Sequence, residues 1–269
     1  MRIGRQEQRQ TAICASNPET IVVRGRDLCA ELIGRVGFTE YTWLLITGEM
    51  PSPSQRAVLD ATLLAIAEHG LVPSVVAARM TLAAGPEALQ GAVAAGLLGC
   101  GSVVLGSSET AGRFLHDVVT RAAGQHLEPA ARACITELRA LKKAVPGFGH
   151  SLHAGQDPRA RRLLEVAAEH GTSGRHIEAA QVVERVLPDL TGRPLAMNVS
   201  GAIPAVLLDA GFPLGALKGV PLLARTASLI AHLLEEQRRS IGFILAHEGS
   251  SAITYDGEAP EGFLPGKDA

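Results

Sequence analysis

Residues 146–160 read PGFGHSLHAGQDPRA, and they are the most informative stretch of the chain. A glycine-rich loop that carries His150 runs into a helix in which Asp157 is the predicted N-cap and Pro158 the first residue, where a missing N–H costs nothing. The dipole of such a helix favours an anion at its N-terminus. Because Arg159 lies in the first turn, the stretch predicts a carboxylate-binding site made by this arginine and the loop histidine.

The pattern PGFGH…DPRA resembles the signature of the citrate synthase superfamily, which includes the citryl-CoA lyases and the C-terminal module of ATP-citrate lyase. The resemblance implies that His150 is catalytic and binds the ketone end of oxaloacetate or the hydroxyl of citrate. It implies that Arg159 binds a substrate carboxylate. It also implies that the loop backbone lies against coenzyme A, through Pro146, Gly147, Phe148 and Gly149.

Two further segments carry the resemblance and favour a lyase. Glu68, His69 and Ser74 are similar to a superfamily segment whose histidine contacts the oxaloacetate portion. The long helical insert that precedes this segment in citrate synthases is missing here, and His69 becomes a second candidate catalytic residue. Leu105 falls where synthases carry a histidine that hydrogen-bonds the thioester oxygen. Leucine can neither donate nor accept such a bond.

The last third of the chain supplies the remaining candidates. Ser200 stands where the superfamily normally has the aspartate that acts as acid and base, and it is retained as a candidate catalytic residue. A hydroxyl without a neighbouring base accepts a proton poorly near pH 7. Arg225 resembles a helix arginine that binds a substrate carboxylate. As a charge in an apolar helix it needs a partner, either that carboxylate or an acid such as Glu235 or Glu236. No arginine follows Arg239 to supply the tail contact of the synthases.

Composition argues against several classes of function. Of the 269 residues, 46% are hydrophobic but only 3% aromatic, which predicts a helical core of Ala, Leu, Val and Ile. The net charge of −2 gives no electrostatic reason to expect a nucleic-acid partner. The four cysteines lack metal-site spacing, which predicts reduced thiols, no metal site and a cytoplasmic location.

Hydrophobic periodicity predicts a succession of helices. They cover 28–36, 39–47, 55–68, 74–84, 111–122, 129–143, 176–186 and 222–232, and one more follows Pro158. Ser54 is the predicted cap of the third helix, and 188–194 is a predicted loop. Residues 88–108 carry no charge but are interrupted by five glycines. We interpret them as a close-packed core or dimer-interface helix and expect no membrane partner. His153, His170 and His176 are expected to be solvated.

The predicted fold class is all-α and citrate synthase-like. A large helical lobe is expected to combine residues 1–106 with 213–269, and a small helical lobe to hold 107–212, with an active-site cleft between them. The glycine-rich helix suits close packing in a homodimer or higher homo-oligomer.

The resemblance implies a carbon–carbon lyase of the oxo-acid type, which cleaves citryl-CoA or a related 3-hydroxy-3-carboxyacyl-CoA into acetyl-CoA and oxaloacetate. Its partners are then a coenzyme A thioester as substrate and a di- or tricarboxylate, with no permanently bound cofactor. Two alternatives stay open. One is a citrate synthase-type condensing enzyme with a different acyl-CoA or oxo acid, against which Leu105 and Ser200 argue. The other is a catalytically inactive paralogue that binds coenzyme A or citrate, which Ser200 supports.

Overall fold

The computed structural model describes residues 9–101, 103, 105–149 and 157–262, and within them the chain is built from α-helices. A small antiparallel sheet is formed by β1 (Cys14–Ser16), β2 (Ile21–Val23) and β3 (Arg26–Asp27). The helices are α1 (Phe38–Thr47), α2 (Pro53–Ala67), α3 (Pro73–Ala84), α4 (Leu89–Leu98), α5 (Ser107–Ala122), α6 (Leu127–Ala140), α7 (Pro158–Glu169), α8 (Arg175–Thr191), α9 (Val199–Asp209), α10 (Gly219–Arg238) and α11 (Gly242–Ser251). The predicted all-α class is confirmed.

The chain divides into two compact units. Unit 1 comprises Met1–Thr62 and Ala111–Leu217, and unit 2 comprises Leu63–Thr110 and Lys218–Ala269. The predicted large lobe instead joined the first 106 residues to the C-terminal segment. That division into lobes remains a prediction.

Helix α9 lies at the centre of unit 1. Its side chains are buried from Val199 to Leu207, apart from the half-buried Ser200. Helices α7 and α8 pack against it, and α6 packs against α8. In the same unit, Trp43 contacts Phe212 edge to face with ring centroids 5.3 Å apart. The segment that carries Ser200 is therefore held by packing on several sides.

Unit 2 is organised around contacts among α3, α4 and α10. Its core combines small and branched aliphatic side chains, namely Val75, Ala78, Leu82, Ala92, Leu229 and Leu233. Glycine in α4 allows the helices to approach closely, since a Cβ at Gly96 would lie 2.7 Å from Leu229 Cδ1 and 2.9 Å from the Ser74 carbonyl oxygen. By length and composition alone, the described stretch Leu214–Arg238 could also cross a membrane. A buried core helix passes the same test, and Leu229 and Leu233 are fully buried.

Several predicted helix ends are wrong. Helix α2 begins at Pro53, with Ser52 as its cap: Ser52 Oγ accepts from Gln55 N at 3.2 Å, and Gln55 Oε1 accepts from Ser52 N at 2.8 Å. Helix α4 ends at Leu98, so residues 88–108 are not one helix. A five-residue π-helical turn replaces the helix predicted over 28–36.

The loop predicted over 188–194 is also wrong, because α8 continues through Pro188 to Thr191. A proline inside a helix removes one backbone hydrogen bond. Burial of Val186 and Leu187 offsets that loss by fixing this turn in the core.

Candidate functional site

The glycine-rich loop is joined to the start of α9 by backbone and side-chain hydrogen bonds. Gly149 N donates to the Ala196 carbonyl at 2.7 Å, and Asn198 N donates to the Gly147 carbonyl at 3.0 Å. Asn198 adds two contacts through its side chain. Its Nδ2 donates to the Gly149 carbonyl at 2.6 Å, while its Oδ1 caps α9 by accepting from Ser200 N at 2.9 Å. One asparagine thus connects the loop to the segment that carries Ser200.

The loop and α9 also touch backbone to backbone. Gly147 adopts φ +87°, a conformation that L side chains rarely adopt. A Cβ on Gly147 would lie 2.6 Å from Gly201 Cα, and a Cβ on Gly201 would lie 2.5 Å from the Gly147 carbonyl oxygen. Both positions therefore require glycine.

Asp157 connects the start of α7 to the start of α9. Its buried carboxylate caps α7 by accepting from Arg159 N at 3.0 Å, as the sequence predicted. It accepts from Arg159 Nε at 3.1 Å and from Nη2 at 2.9 Å, and it reaches Val199 N at 3.0 Å. Burial alone would raise the pKa of the Asp157 carboxyl, but these hydrogen bonds outweigh it and hold the pKa below its ordinary value.

Unit 1 thus brings together the loop Pro146–Gly149, Ser200 and Arg159, three of the predicted site elements. The Arg159 guanidinium uses one edge for Asp157, so a substrate carboxylate would have to approach another edge. His150 follows Gly149 directly but lies outside the described residues, as does His153. The roles of these residues remain predictions.

A cavity of about 560 Å³ lies beside the loop in unit 1. Val145, Phe148 and Gly149 form one wall. The basic side chains that line it are Arg139, Lys143 and Arg193. Three cations beside an apolar wall and the half-buried Gly149 suit a ligand that carries both an apolar portion and anionic groups.

Arg225 is the second candidate arginine, and unit 2 holds it in an unusual state. Its side chain is 2% exposed, and its Nε and Nη1 atoms have no hydrogen-bond partner among the described residues. Burial lowers the pKa of the guanidinium, and the negative charge of Glu68 opposes that effect. Buried donors without partners are rare in folded proteins, so this guanidinium is suited to receive an anion.

Neither of the acids considered as protein partners of Arg225 pairs with it. Glu236 bonds to Arg79 Nε at 2.7 Å and Glu235 to Arg79 Nη1 at 2.8 Å. Arg79 is as deeply buried as Arg225, with 2% exposure. Among the described residues of unit 2, the buried Arg79 is thus paired with carboxylates and the buried Arg225 is not.

Glu68 connects the turn at His69 to α10. Its Oε1 accepts from His69 N at 2.9 Å, and its Oε2 accepts from Ser228 Oγ and lies 3.0 Å from His232 Nε2. Burial would raise the pKa of the Glu68 carboxyl, but these hydrogen bonds, with one from Gly70 N, lower it to about 2. Glu68 is therefore an anion at every physiological pH. The neighbouring His69 is exposed.

Sequence reasoning missed several of these contacts. The roles of Ser228 and His232 could have been noticed, since they follow Arg225 by three and seven residues and share its helix face. His176, expected to be solvated, instead lies with its Nδ1 2.9 Å from the buried Asp209. Its local sequence gave no sign of that distant aspartate. His170 is exposed, as expected.

The family described as citrate synthase, C-terminal domain, matches residues 51–244. A Mycobacterium tuberculosis relative named as a citrate synthase is 30% identical over 195 residues, which cover 70% of this chain and 49% of that protein. The chain thus spans about half the length of the curated citrate synthase-named relatives that it matches.

Solved structures extend this likeness to nearly the whole chain. The citryl-CoA lyase of Hydrogenobacter thermophilus superposes with a TM-score of 0.84 at 30% identity, covering 95% of this chain and 97% of that one. The ATP citrate lyase of Methanothrix soehngenii, solved with citrate and coenzyme A, gives a TM-score of 0.78 at 23% identity over 98% of this chain and 44% of its own. The predicted citrate synthase-like fold is confirmed.

Proposed function

The chain belongs to the citrate synthase family, and from this membership we propose that it is a citryl-CoA lyase-like enzyme. It cleaves citryl-CoA, or a related 3-hydroxy-3-carboxyacyl-CoA, into acetyl-CoA and oxaloacetate. One observation carries the choice of lyase over synthase. Over 95% of its residues the chain superposes on a citryl-CoA lyase with a TM-score of 0.84, whereas the citrate synthase of Thermotoga maritima gives 0.64 over 86%.

The reaction sets clear demands on the site. The tertiary hydroxyl of the substrate loses its proton, the adjacent C–C bond breaks to leave a ketone, and the resulting acetyl-CoA enolate takes up a proton. Donors placed on the developing ketone, the proposed task of His69 and His150, are commonly worth about 2.7–4 kcal/mol each. Arg225 and Arg159 hold the carboxylates of the oxaloacetate portion. The N–H groups of Arg225 that lack a partner among the described residues support this assignment most directly.

We propose that the cavity beside the glycine-rich loop receives coenzyme A. Arg139, Lys143 and Arg193 match the phosphates of that ligand in charge, and Phe148 offers apolar contact. The loop backbone lies along the same wall. The thioester portion then extends from this cavity towards Ser200, to which Asn198 connects the loop.

A second candidate function rests on Ser200. A hydroxyl is a poor general base near pH 7, and this serine stands where the family normally carries an aspartate. A paralogue that binds coenzyme A or citrate without turnover is consistent with that arrangement. A condensing enzyme is the third candidate function.

One assay separates these functions. Purified protein is mixed with citryl-CoA, and oxaloacetate is followed with malate dehydrogenase and NADH. We expect product in the wild type, loss of product in His150→Ala and no change in His170→Ala, an exposed histidine at the end of α7. Ser200→Asp should raise the rate.

Other outcomes would favour the competing functions. Absence of product with retained coenzyme A binding would support the inactive paralogue. Release of thiol from acetyl-CoA and oxaloacetate would support the condensing enzyme. We also propose a cytoplasmic location, with which the four free cysteines are consistent.

A further inference from the structure

Three residues of α10 form one stripe along its surface. Arg225, Ser228 and His232 are spaced by three and four residues, which places them on a single helix face. Glu68, from the segment that precedes His69, contacts two of the three: its Oε2 bonds to Ser228 Oγ and to His232 Nε2. The carboxylate therefore lies on the same face as the guanidinium without a hydrogen bond to it.

The hydrogen bonds around His232 define its tautomer. Arg79 Nη1 lies 3.4 Å from His232 Nδ1, and an arginine can only donate, so Nδ1 accepts. The proton of a neutral ring then sits on Nε2 and points to Glu68 Oε2. Arg79 is itself fixed by Glu235 and Glu236. The position of the Glu68 carboxylate is thus determined by a chain of bonded groups.

We propose that Ser228 and His232 tether Glu68 as a counter-charge that supports Arg225 from a distance and keeps its N–H groups open for a substrate carboxylate. This inference rests on the proposed role of Arg225 in substrate binding. Without an anion nearby, a buried guanidinium would be strongly destabilised before substrate arrives. With a carboxylate bonded directly to it, the guanidinium would be occupied. Because Ser228 and His232 hold Glu68 near Arg225 without a direct bond, the guanidinium is neither left without a counter-charge nor occupied.

The proposal predicts effects of opposite sign in two variants. Glu68→Gln removes an anion that repels the incoming carboxylate, so citrate should bind about threefold more tightly. Ser228→Ala releases Glu68 to bond Arg225, so citrate should bind about threefold to tenfold more weakly. The double variant should behave like Glu68→Gln, because an amide has no charge with which to compete. A purely structural role for Glu68 would weaken binding in every variant.

Titration calorimetry with citrate measures these affinities in the full chain. Glu248→Gln removes a charge from the exposed part of α11 in the same unit and serves as the matched control, with unchanged affinity expected. Equal or weaker binding in Glu68→Gln, or tighter binding in Ser228→Ala, would overturn the tether.

A measurement without ligand keeps this inference separate from the proposed function. In the free protein, Glu68→Gln should lower Tm by about 2 °C more than the same substitution does in an Arg225→Met background, where only its hydrogen bonds to Ser228, His232 and the backbone are weakened. Equal shifts in both backgrounds would overturn the charge support. If the wild type binds neither citrate nor citryl-CoA while the Tm coupling is present, polycarboxylate binding fails and the Glu68–Arg225 pairing stands.

Discussion

At the scale of single residues, unit 2 offers two arginines in the same burial state but with different surroundings. Arg79 donates to two carboxylates and to the Arg239 carbonyl oxygen. Arg225 has two buried nitrogen atoms without partners in the part of the chain that the structure describes. A buried charge that is paired contributes to the fold, whereas an unpaired one is retained at a cost. The contrast is consistent with a structural role for Arg79 and with the ligand-binding role proposed for Arg225.

The same substitution should therefore have opposite effects at the two positions. Arg225→Met should leave the free energy of unfolding unchanged or raise it by about 1–2 kcal/mol, while citrate binding weakens about a hundredfold. Arg79→Met leaves the buried Glu236 without its guanidinium and should lower the free energy of unfolding by about 3 kcal/mol. Urea unfolding and calorimetry measure both. A loss of stability in Arg225→Met would show that the buried charge contributes to the fold and is not retained at a cost.

The low pKa of Glu68 predicts how its contribution to stability depends on pH. The pKa is about 2 in the folded protein and 4.5 ordinarily, so the folded state binds the proton more weakly than the unfolded state. The contribution is complete above pH 4.5 and is lost as the pH falls towards 2. The difference in free energy of unfolding between wild type and Glu68→Gln should follow this course in urea titrations from pH 6 to pH 2. A difference that does not change with pH would contradict it.

The sequence alone could have excluded Glu236 as a partner of Arg225. Glu236 lies eleven residues along the same helix, which at 1.5 Å per residue is about 16 Å away. An intrahelical ion pair over that distance is impossible. The contact of Glu236 with Arg79 could not have been predicted, because it depends on how α3 packs against α10.

At the scale of elements, the start of α9 is the most constrained part of unit 1. The segment 197–200 pairs with the loop, caps the helix through Asn198 and donates a hydrogen bond from Val199 N to the Asp157 carboxylate. Local signals predicted part of this arrangement. Asp157 and Pro158 marked the start of α7 correctly, because capping is a property of neighbouring residues. The end of α8 was mispredicted because tertiary burial outweighed the local preference of Pro188.

Gly201 should be intolerant of substitution for the same reason. In Gly201→Ala the added Cβ meets the Gly147 carbonyl oxygen at 2.5 Å and Met197 Cγ at 3.1 Å, so the backbone must shift. We expect a loss of about 2–4 kcal/mol in the free energy of unfolding and loss of coenzyme A binding. Gly249→Ala, in α11 with open space around it, should instead stabilise by about 0.5–1 kcal/mol. Similar results for both glycines would contradict close packing of the loop against α9.

At the scale of the whole molecule, the sequence predicted the fold class, and its predicted lobes grouped His69 with Arg225 and Arg159 with Ser200. His69 and Arg225 belong to unit 2, whereas Arg159 and Ser200 belong to unit 1. The resemblance carried by the loop motif covers almost the entire chain, which is why the fold could be predicted from fifteen residues. The bounds of the units depend on long-range contacts that no local pattern encodes, and the segment before Leu63 clusters with 111–217 and not with the C-terminal segment.

The predicted homodimer can be tested on the surface of unit 2. Large apolar side chains are exposed there, including Leu98 at 86%, Val103 at 87% and Leu64 at 80%. Apolar surface of this kind is typical of a protein interface. Light scattering after size exclusion should give about twice the chain mass of 28.1 kDa. Leu98→Asp should shift the mass to that of one chain, whereas Leu141→Asp, on exposed surface of unit 1, should not. A wild-type mass of one chain would refute the dimer.

The backbone contact between Gly147 and Gly201 limits how the substrate range could be changed by mutation. Neither position can change first, because a side chain on one collides with the main chain of the other. Mutant libraries that randomise this neighbourhood will yield folded clones only where both codons still specify glycine. Useful diversity there is confined to position 200, whose half-buried serine lies beside the fixed pair without being part of it.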